Sequence, residues 1–164
     1  MSISKKLLKH LEAGKVRYDV VDHRKVYTAY DLAATLKKKL DTIAKSVIIV
    51  VDRNHWIAVL PGNRRVDLSK LKKVLKAKQV TMAKESVQQT VMKIRRGGIT
   101  PFGVLYGNMP VVVDRTLSKM KKILVSTGSF EQSLHLSAKA LLDATQAKVA
   151  DFSVRAPVIK KKRN

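Results

Sequence analysis

Ser46-Val-Ile-Ile-Val-Val51, Asp52-Arg-Asn54 and His55-Trp-Ile-Ala-Val-Leu60 follow one another without interruption. The first run is short, apolar and rich in β-branched residues, which suits a buried strand. Asp52 and Asn54 favour a turn. The second run reads as the returning strand of a hairpin, ended by Pro61-Gly62-Asn63.

Working outward from this pair, Ser4 can cap a helix that carries Leu7, Leu8 and Leu11 on one face and stops at Gly14. Tyr18-Asp-Val-Val-Asp22 alternates like a strand. Thr28, with Asp31 three residues later, resembles a capping box opening a helix through Leu40, with Leu32, Ala33 and Leu36 facing inward. Downstream, Asp67 caps a basic helix. Leu68, Leu71 and Leu75 form its apolar stripe, and Lys70, Lys72, Lys73, Lys76 and Lys78 cover the rest. The pattern then gives a strand at Val80–Met82, a helix from Glu85 to Met92 and a loop from Gly97 to Gly103. Val111–Val113 and Ile123–Val125 read as strands separated by a Lys-rich turn. Leu134-His-Leu136 alternates, Ser137 caps a last helix through Thr145, and Ala147–Phe152 is a final strand. Hairpins fall between helices with no steady β-α-β alternation. That order predicts an α+β fold, a single domain with a mixed or barrel-like β-sheet surrounded by helices. The domain is placed at 1–152. Residues 153–164, finishing Lys160-Lys-Lys-Arg163, are expected to be a mobile basic tail.

The chain has 164 residues, enough to bury a real core, and 45% of them are hydrophobic. It has 34 Lys+Arg against 12 Asp+Glu, a formal charge of +22. Such a charge implies a polyanionic partner or a strong positive field. The excess is concentrated: residues 61–122 carry 15 basic and 3 acidic side chains, hence +12 of the +22. No apolar run is long enough to span a membrane, and the N-terminus has no uninterrupted apolar stretch of a secretory signal. Cysteine is absent, which excludes disulfides, thiolate metal sites and cysteine nucleophiles. A cytoplasmic setting is expected.

The four histidines, at 10, 23, 55 and 135, show no metal-ligand spacing, so no metal and no cofactor are expected. Neither a nucleotide-binding glycine loop nor a Gly-x-Ser-x-Gly elbow occurs. Two features remain. Lys45 precedes the buried strand and is followed by Ser46; a lysine held at the mouth of an apolar strand can bind phosphate as a compact point charge. The plain alternative is an ordinary strand-flanking lysine. Gly97-Gly-Ile-Thr-Pro-Phe-Gly103 is a loop whose glycines admit a close ligand and whose Pro101 stiffens it, so that it can aim N–H donors at a developing oxyanion. Its alternative is a surface turn. Ser126-Thr-Gly-Ser129 is a weaker instance of the same kind.

Six short motifs stand in a common order: Ile43-Ala-Lys-Ser-Val-Ile-Ile49, Ala58-Val-Leu-Pro-Gly-Asn-Arg-Arg-Val-Asp-Leu68, Gly97–Gly103, Pro110-Val-Val-Val-Asp114, Ser126–Ser129 and Leu134-His-Leu-Ser137. Together they resemble the YbaK/ProX family of trans-editing aminoacyl-tRNA deacylases, which is related to the editing domain inserted in bacterial prolyl-tRNA synthetases. The resemblance runs from about residue 4 to 152. It implies a metal-independent ester hydrolase that releases a small mischarged amino acid from tRNA. Lys45, Gly97 and Pro101 take the catalytic positions of the family pattern, Lys45 toward the terminal nucleotide and the Gly-x-x-x-Pro loop toward the aminoacyl group. Ser46, Gly98, Thr100, Gly128 and Ser129 are expected to bind substrate. Arg64, Arg65, Lys70, Lys73, Arg95 and Arg96 are the candidates for tRNA contact. The implied partners are mischarged aminoacyl-tRNA and an aminoacyl-tRNA synthetase, with no membrane involved.

An activated ester can be hydrolysed by positioning and oxyanion stabilisation, with water or a substrate group as nucleophile. The chain departs from the family pattern in two places. Phe130 stands where some relatives carry histidine, and Thr100 replaces the commoner serine. His135 is read as a packed structural residue. The alternative function is a tRNA- or RNA-binding module of the same fold without hydrolysis. A third is a basic structural or regulatory partner of a synthetase or ribosome.

Overall fold

The structure, a computed structural model, describes residues 2–90, 92–95 and 97–157. The chain begins with α1 (Lys5–Ala13), β1 (Asp19–Asp22), α2 (Ala29–Leu36), β2 (Ala44–Val51) and β3 (Asn54–Pro61). It continues through β4 (Arg64–Val66), α3 (Leu68–Val74), β5 (Val80–Met82), α4 (Glu85–Thr90) and β6 (Val111–Asp114). The remainder is α5 (Arg115–Ser118), β7 (Lys122–Ser126), β8 (Gln132–Ser137), α6 (Ala138–Thr145), β9 (Lys148–Ala150) and β10 (Ser153–Arg155).

The hairpin expected at 46–60 is the centre. β2 pairs antiparallel with β3 from Ala44–Pro61 to Val51–Asn54. A five-stranded sheet is built on it in the order β5-β2-β3-β6-β9, with the β3–β6 and β6–β9 pairs parallel. Side chains alternate across a strand, and here the alternation feeds two cores. Ala44, Ile48, Ile57, Val59, Val111 and Val113 pack with Leu7 and Leu11 of α1 and Leu141 of α6. Their neighbours Ile49, Val51, Ala58, Leu60 and Val112 pack instead with Leu71 of α3 and Phe152. Cover on both faces is why these strands read as continuous apolar runs. A second sheet, β1-β8-β7, meets the first through a parallel bridge between Ile43 and Leu124. The α+β class and the mixed sheet surrounded by helices are therefore as expected.

Ser4, Thr28, Asp67 and Ser137 each cap their helices with a side-chain oxygen. Four local readings change. α2 stops at Leu36, with Lys37 left-handed at φ 52°, and does not reach Leu40. Leu40 instead lies in a single 3-10 turn and packs over Gly62, where a Cβ would come within 2.9 Å of it. The space left by that glycine holds Leu40, so helical spacing there is coincidental. α3 ends at Val74, leaving Lys76 and Lys78 beyond it. The Lys-rich turn at 115–121 opens with α5, because Asp114 caps it and Leu117 is fully buried. Finally, the folded chain runs past 152: β10 pairs with β4 from Ser153–Val66 to Arg155–Arg64. Neither three-residue strand carries an apolar alternation that a sequence pattern registers. The expected tail at Lys160–Arg163 lies outside the described residues.

β6 ends on Asp114, a fully buried carboxylate. Oδ1 accepts from the Phe152 N–H at 2.9 Å, and Oδ2 accepts from the Ser153 hydroxyl at 2.8 Å, the Thr116 N–H at 3.2 Å and the Thr116 hydroxyl. Burial pushes this acid up, but the hydrogen bonds outweigh it and hold it below the usual carboxylate range. A depressed acid contributes stability above its unfolded pKa, and loses it as pH falls through the folded value. Asp114→Asn should therefore cost roughly 2–3 kcal/mol at neutral pH in urea unfolding. It should also flatten the acid-side loss of stability; an unchanged acid limb would show that Asp114 does not carry it.

Candidate active site

A cavity of about 270 Å³ opens where four segments distant in sequence meet. The first residues of β2 form one wall, and residues 23–29 leading into α2 form another. The 97–99 loop and the turn after β7 complete it. Each segment is set by a separate local cause: the hairpin register, the Thr28 cap, the glycines at 97 and 98, and the Gly128 turn.

Lys45 sits opposite Leu60 in the β2–β3 ladder and lines the cavity. Its Nζ donates to the Arg64 carbonyl at 2.5 Å. Partial burial removes water from the ammonium and lowers its pKa from the ordinary lysine value. An ammonium has three donors, so two remain for a ligand. Ser46 also borders the cavity, and its Oγ is buried with no hydrogen bond among the described residues.

The 97–101 loop is organised by which of its N–H groups are already used. Gly97 has φ +77°, and a Cβ there would lie 2.6 Å from the Tyr27 carbonyl oxygen. Only glycine lets the loop lie against residue 27. The Gly98 N–H donates to the Arg95 carbonyl at 2.7 Å, and the Thr100 N–H to the Tyr106 hydroxyl at 2.9 Å. Thr100 Oγ1 accepts in turn from the Phe102 N–H, and Pro101 is buried and has no N–H. Gly97 and Ile99, both on the cavity wall, keep N–H groups without a partner among the described residues. Two such donors can stabilise an oxyanion.

The expected substrate residues thus separate. Lys45, Ser46, Gly97 and Ser129 line the cavity. Gly98, Thr100 and Gly128 border a different recess beside Tyr106, and Pro101 lines neither cavity. Thr100 supports the loop from behind, with its methyl 3.7 Å from where a Gly128 Cβ would lie. Gly128 itself has φ +90°. Ser129 Oγ accepts from the Glu131 N–H at 3.2 Å, which closes the turn.

Of the tRNA-contact candidates, Arg65, Lys73 and Arg95 are exposed. Lys70 lies 3.6 Å from the Asp151 carboxylate. Arg95 stacks on the Phe130 ring, 4.7 Å from its centroid. Arg64 is turned inward onto Ser153, so its guanidinium serves the fold and is not a surface contact. Arg96 lies outside the described residues.

The sequence pattern singled out Phe130 only as a departure from the family and gave no role to the rest of the wall. Phe130 packs against Tyr27 with centroids 4.8 Å apart, between that ring and Arg95. His23 Nδ1 lies 2.8 Å from the Arg24 carbonyl and Nε2 lies 2.9 Å from Ser133 Oγ. A carbonyl only accepts, so Nδ1 carries the proton, and in the neutral ring Nε2 accepts from the hydroxyl. The β1–β8 register, with Asp22 opposite Gln132, brings His23 and Ser133 together. No local motif encodes a pairing over 110 residues. His135 lies away from this cavity, beside Lys38 and Lys122.

A separate recess of about 410 Å³, bordered by His10, Trp56 and Met109, contains none of the candidates. Among the described residues, no group of three or more His, Cys, Asp or Glu side chains could hold a metal ion. None of their helices is long and apolar enough to cross a membrane.

Comparison with known proteins places the cavity in a wider context. The family model described as "Aminoacyl-tRNA editing domain" matches residues 23–144. Prolyl-tRNA editing protein ProX of Acetoanaerobium sticklandii is 25% identical over 122 residues, 71% of this chain and 74% of that protein. EbsC of Enterococcus faecalis, described as a candidate Cys-tRNA(Pro)/Cys-tRNA(Cys) deacylase, is 26% identical over 129 residues, 78% of each chain. The crystal structure of a hypothetical protein superposes with a TM-score of 0.83 and 26% identity, over 92% of this chain and 100% of that one.

The Gly97 geometry yields a direct test. Gly97→Ala must either strain a positive φ or push residue 27 away from the cavity, at a cost of roughly 1–3 kcal/mol. Urea unfolding should register that loss. An alanine variant as stable as the wild type would show that the loop is not pinned against Tyr27.

Proposed function

Because the chain belongs to the aminoacyl-tRNA editing domain family, we propose that it is a trans-acting aminoacyl-tRNA deacylase, hydrolysing the ester of a small mischarged amino acid. The observation that carries this reading is the pairing of a half-buried lysine, with two donors to spare, and two residues whose backbone N–H groups have no partner among the described residues, all lining one small cavity.

The ester carbonyl sits at the Gly97 and Ile99 N–H groups, which take up negative charge as the tetrahedral intermediate forms. Lys45 holds the terminal nucleotide through its phosphate or sugar oxygens, which fixes the ester in the cavity. Water, or a nucleophile of the substrate itself, completes the reaction, and no protein nucleophile is needed for an ester already activated. At about 270 Å³ the cavity is at the small end for ligand sites. It accepts the aminoacyl group and leaves the nucleotide at its mouth. Alanine, cysteine or serine on tRNA(Pro) are the favoured substrates, in keeping with the names of the relatives. The Tyr27–Phe130 wall limits side-chain size, and each methylene is worth about 1–3 kcal/mol of discrimination. Exposed Arg65 and Lys73 and the edge residue Arg95 supply positive charge for the acceptor arm. Such a substrate places the protein in the cytoplasm, where a synthetase can be a further partner.

A panel of mischarged aminoacyl-tRNAs tests this. The protein should release a small amino acid from at least one of them, and Lys45→Ala should lower kcat/KM roughly tenfold or more, the worth of a charged hydrogen bond. Equal rates for Lys45→Ala would remove the site assignment. Binding without release on every substrate would instead favour an RNA-binding module. Affinity should also fall steeply with salt. Arg65→Ala or Lys73→Ala should reduce the slope of log K against log salt by roughly 0.7–0.9 for each phosphate that is no longer neutralised. An unchanged slope would exclude that residue from the interface.

A further inference from the structure

We propose that Asp114, Ser153 and Arg64 are positioning residues that set the location of the Lys45 ammonium, so that the last strand of the fold governs the site from outside the family-matched span. The inference rests on the reading of Lys45 as the residue that holds the terminal nucleotide.

The connection is a continuous run of hydrogen bonds. The Ser153 hydroxyl donates its one hydrogen bond to Asp114 Oδ2 at 2.8 Å, and its oxygen accepts from Arg64 Nε at 2.6 Å. Arg64 Nη2 donates to the Ser153 carbonyl at 3.0 Å. The guanidinium is thereby gripped at two points, and its charge is answered through one hydroxyl by the buried carboxylate. The main chain of the same arginine carries the carbonyl that receives Lys45 Nζ at 2.5 Å. Asp114 and Ser153 are both fully buried, so the link between them has little water to compete with it.

The grip has a reason. β4 and β10 make a ladder of three residue pairs, and among the described residues they pair with no other strand. A two-stranded ribbon that short is not stable by itself. The β4 entrance is held by the Gly62 N–H on the Ile43 carbonyl at 2.8 Å. Its body is held by the ladder to β10, by the Asp67 N–H on the Phe152 carbonyl at 2.7 Å, and by the Arg64 side chain, which ties the residue bearing the Lys45 acceptor directly to Ser153. When that hold is lost, the Arg64 carbonyl moves with the strand and the lysine loses its fixed acceptor. Residues 153–155 lie beyond the family match at 23–144, yet in this fold they complete the support of a residue inside it.

Steady-state deacylation of the mischarged tRNA that the wild type hydrolyses, measured below the melting temperature of each variant, tests the proposal. Ser153→Ala should raise KM roughly fivefold, the worth of one hydrogen bond, and leave kcat nearly unchanged. Ser153→Thr, which keeps the hydroxyl, should restore KM. Placed in a Lys45→Ala background, Ser153→Ala should add nothing to KM, since both act through one group. If Ser153→Ala does not fold, Arg64→Lys, which keeps the charge and loses the two-point grip, is read in the same way. A lowered melting temperature with unchanged KM would overturn the proposal. So would a KM effect that persists without Lys45. If Lys45→Ala is itself as active as wild type, the reading of the site fails first, and the positioning role fails with it.

Discussion

A carboxylate taken out of water must find hydrogen-bond donors for its lone pairs or destabilise the fold that buries it. Asp114 meets that demand with donors from residues 116, 152 and 153. The geometry of three elements follows. The Thr116 bonds cap α5 and turn the chain away from β6. The Phe152 bond seats a fully buried ring in the second core. The Ser153 bond brings β10 beside β4. In a chain of +22, the most buried acidic group is thus a fastening within the fold, not a partner for surface charge.

The site was legible where chemistry is local. Lys45 before an apolar run, and a glycine-rich loop carrying proline, stand out in a one-dimensional reading, and both reach the cavity. The β2–β3 hairpin and the helix caps were legible for the same reason, since a turn or a cap is decided within about four residues. What escaped depends on distance. His23 meets Ser133 only through the register of β1 and β8. Which loop N–H groups remain open depends on Arg95 and Tyr106 taking the others. Arg64 looked like any basic residue in a basic segment, and only the fold turns it inward. β4 and β10 are too short and too polar to leave a pattern.

The charge acquires a more definite meaning from these placements. The middle segment is the most basic, but its positive groups are not equivalent. Arg64 is turned inward, Lys70 faces Asp151, and Arg95 lies on the ring of Phe130, a cavity-lining residue. Arg65, Lys73 and Arg95 are exposed. On the proposed reading a polyanion is drawn in by the whole field, whereas the chemistry is assigned to one half-buried ammonium and two backbone donors. Steering and catalysis are therefore separate properties of the same chain.

The most direct measurement is amide chemical-shift mapping with a non-hydrolysable, amide-linked aminoacyl-adenosine carrying a small side chain. The account predicts saturable shifts centred on Lys45, Gly97, Ile99 and Phe130. Shifts centred on the recess of Trp56 and Met109, with the Lys45 cavity unperturbed, would contradict it.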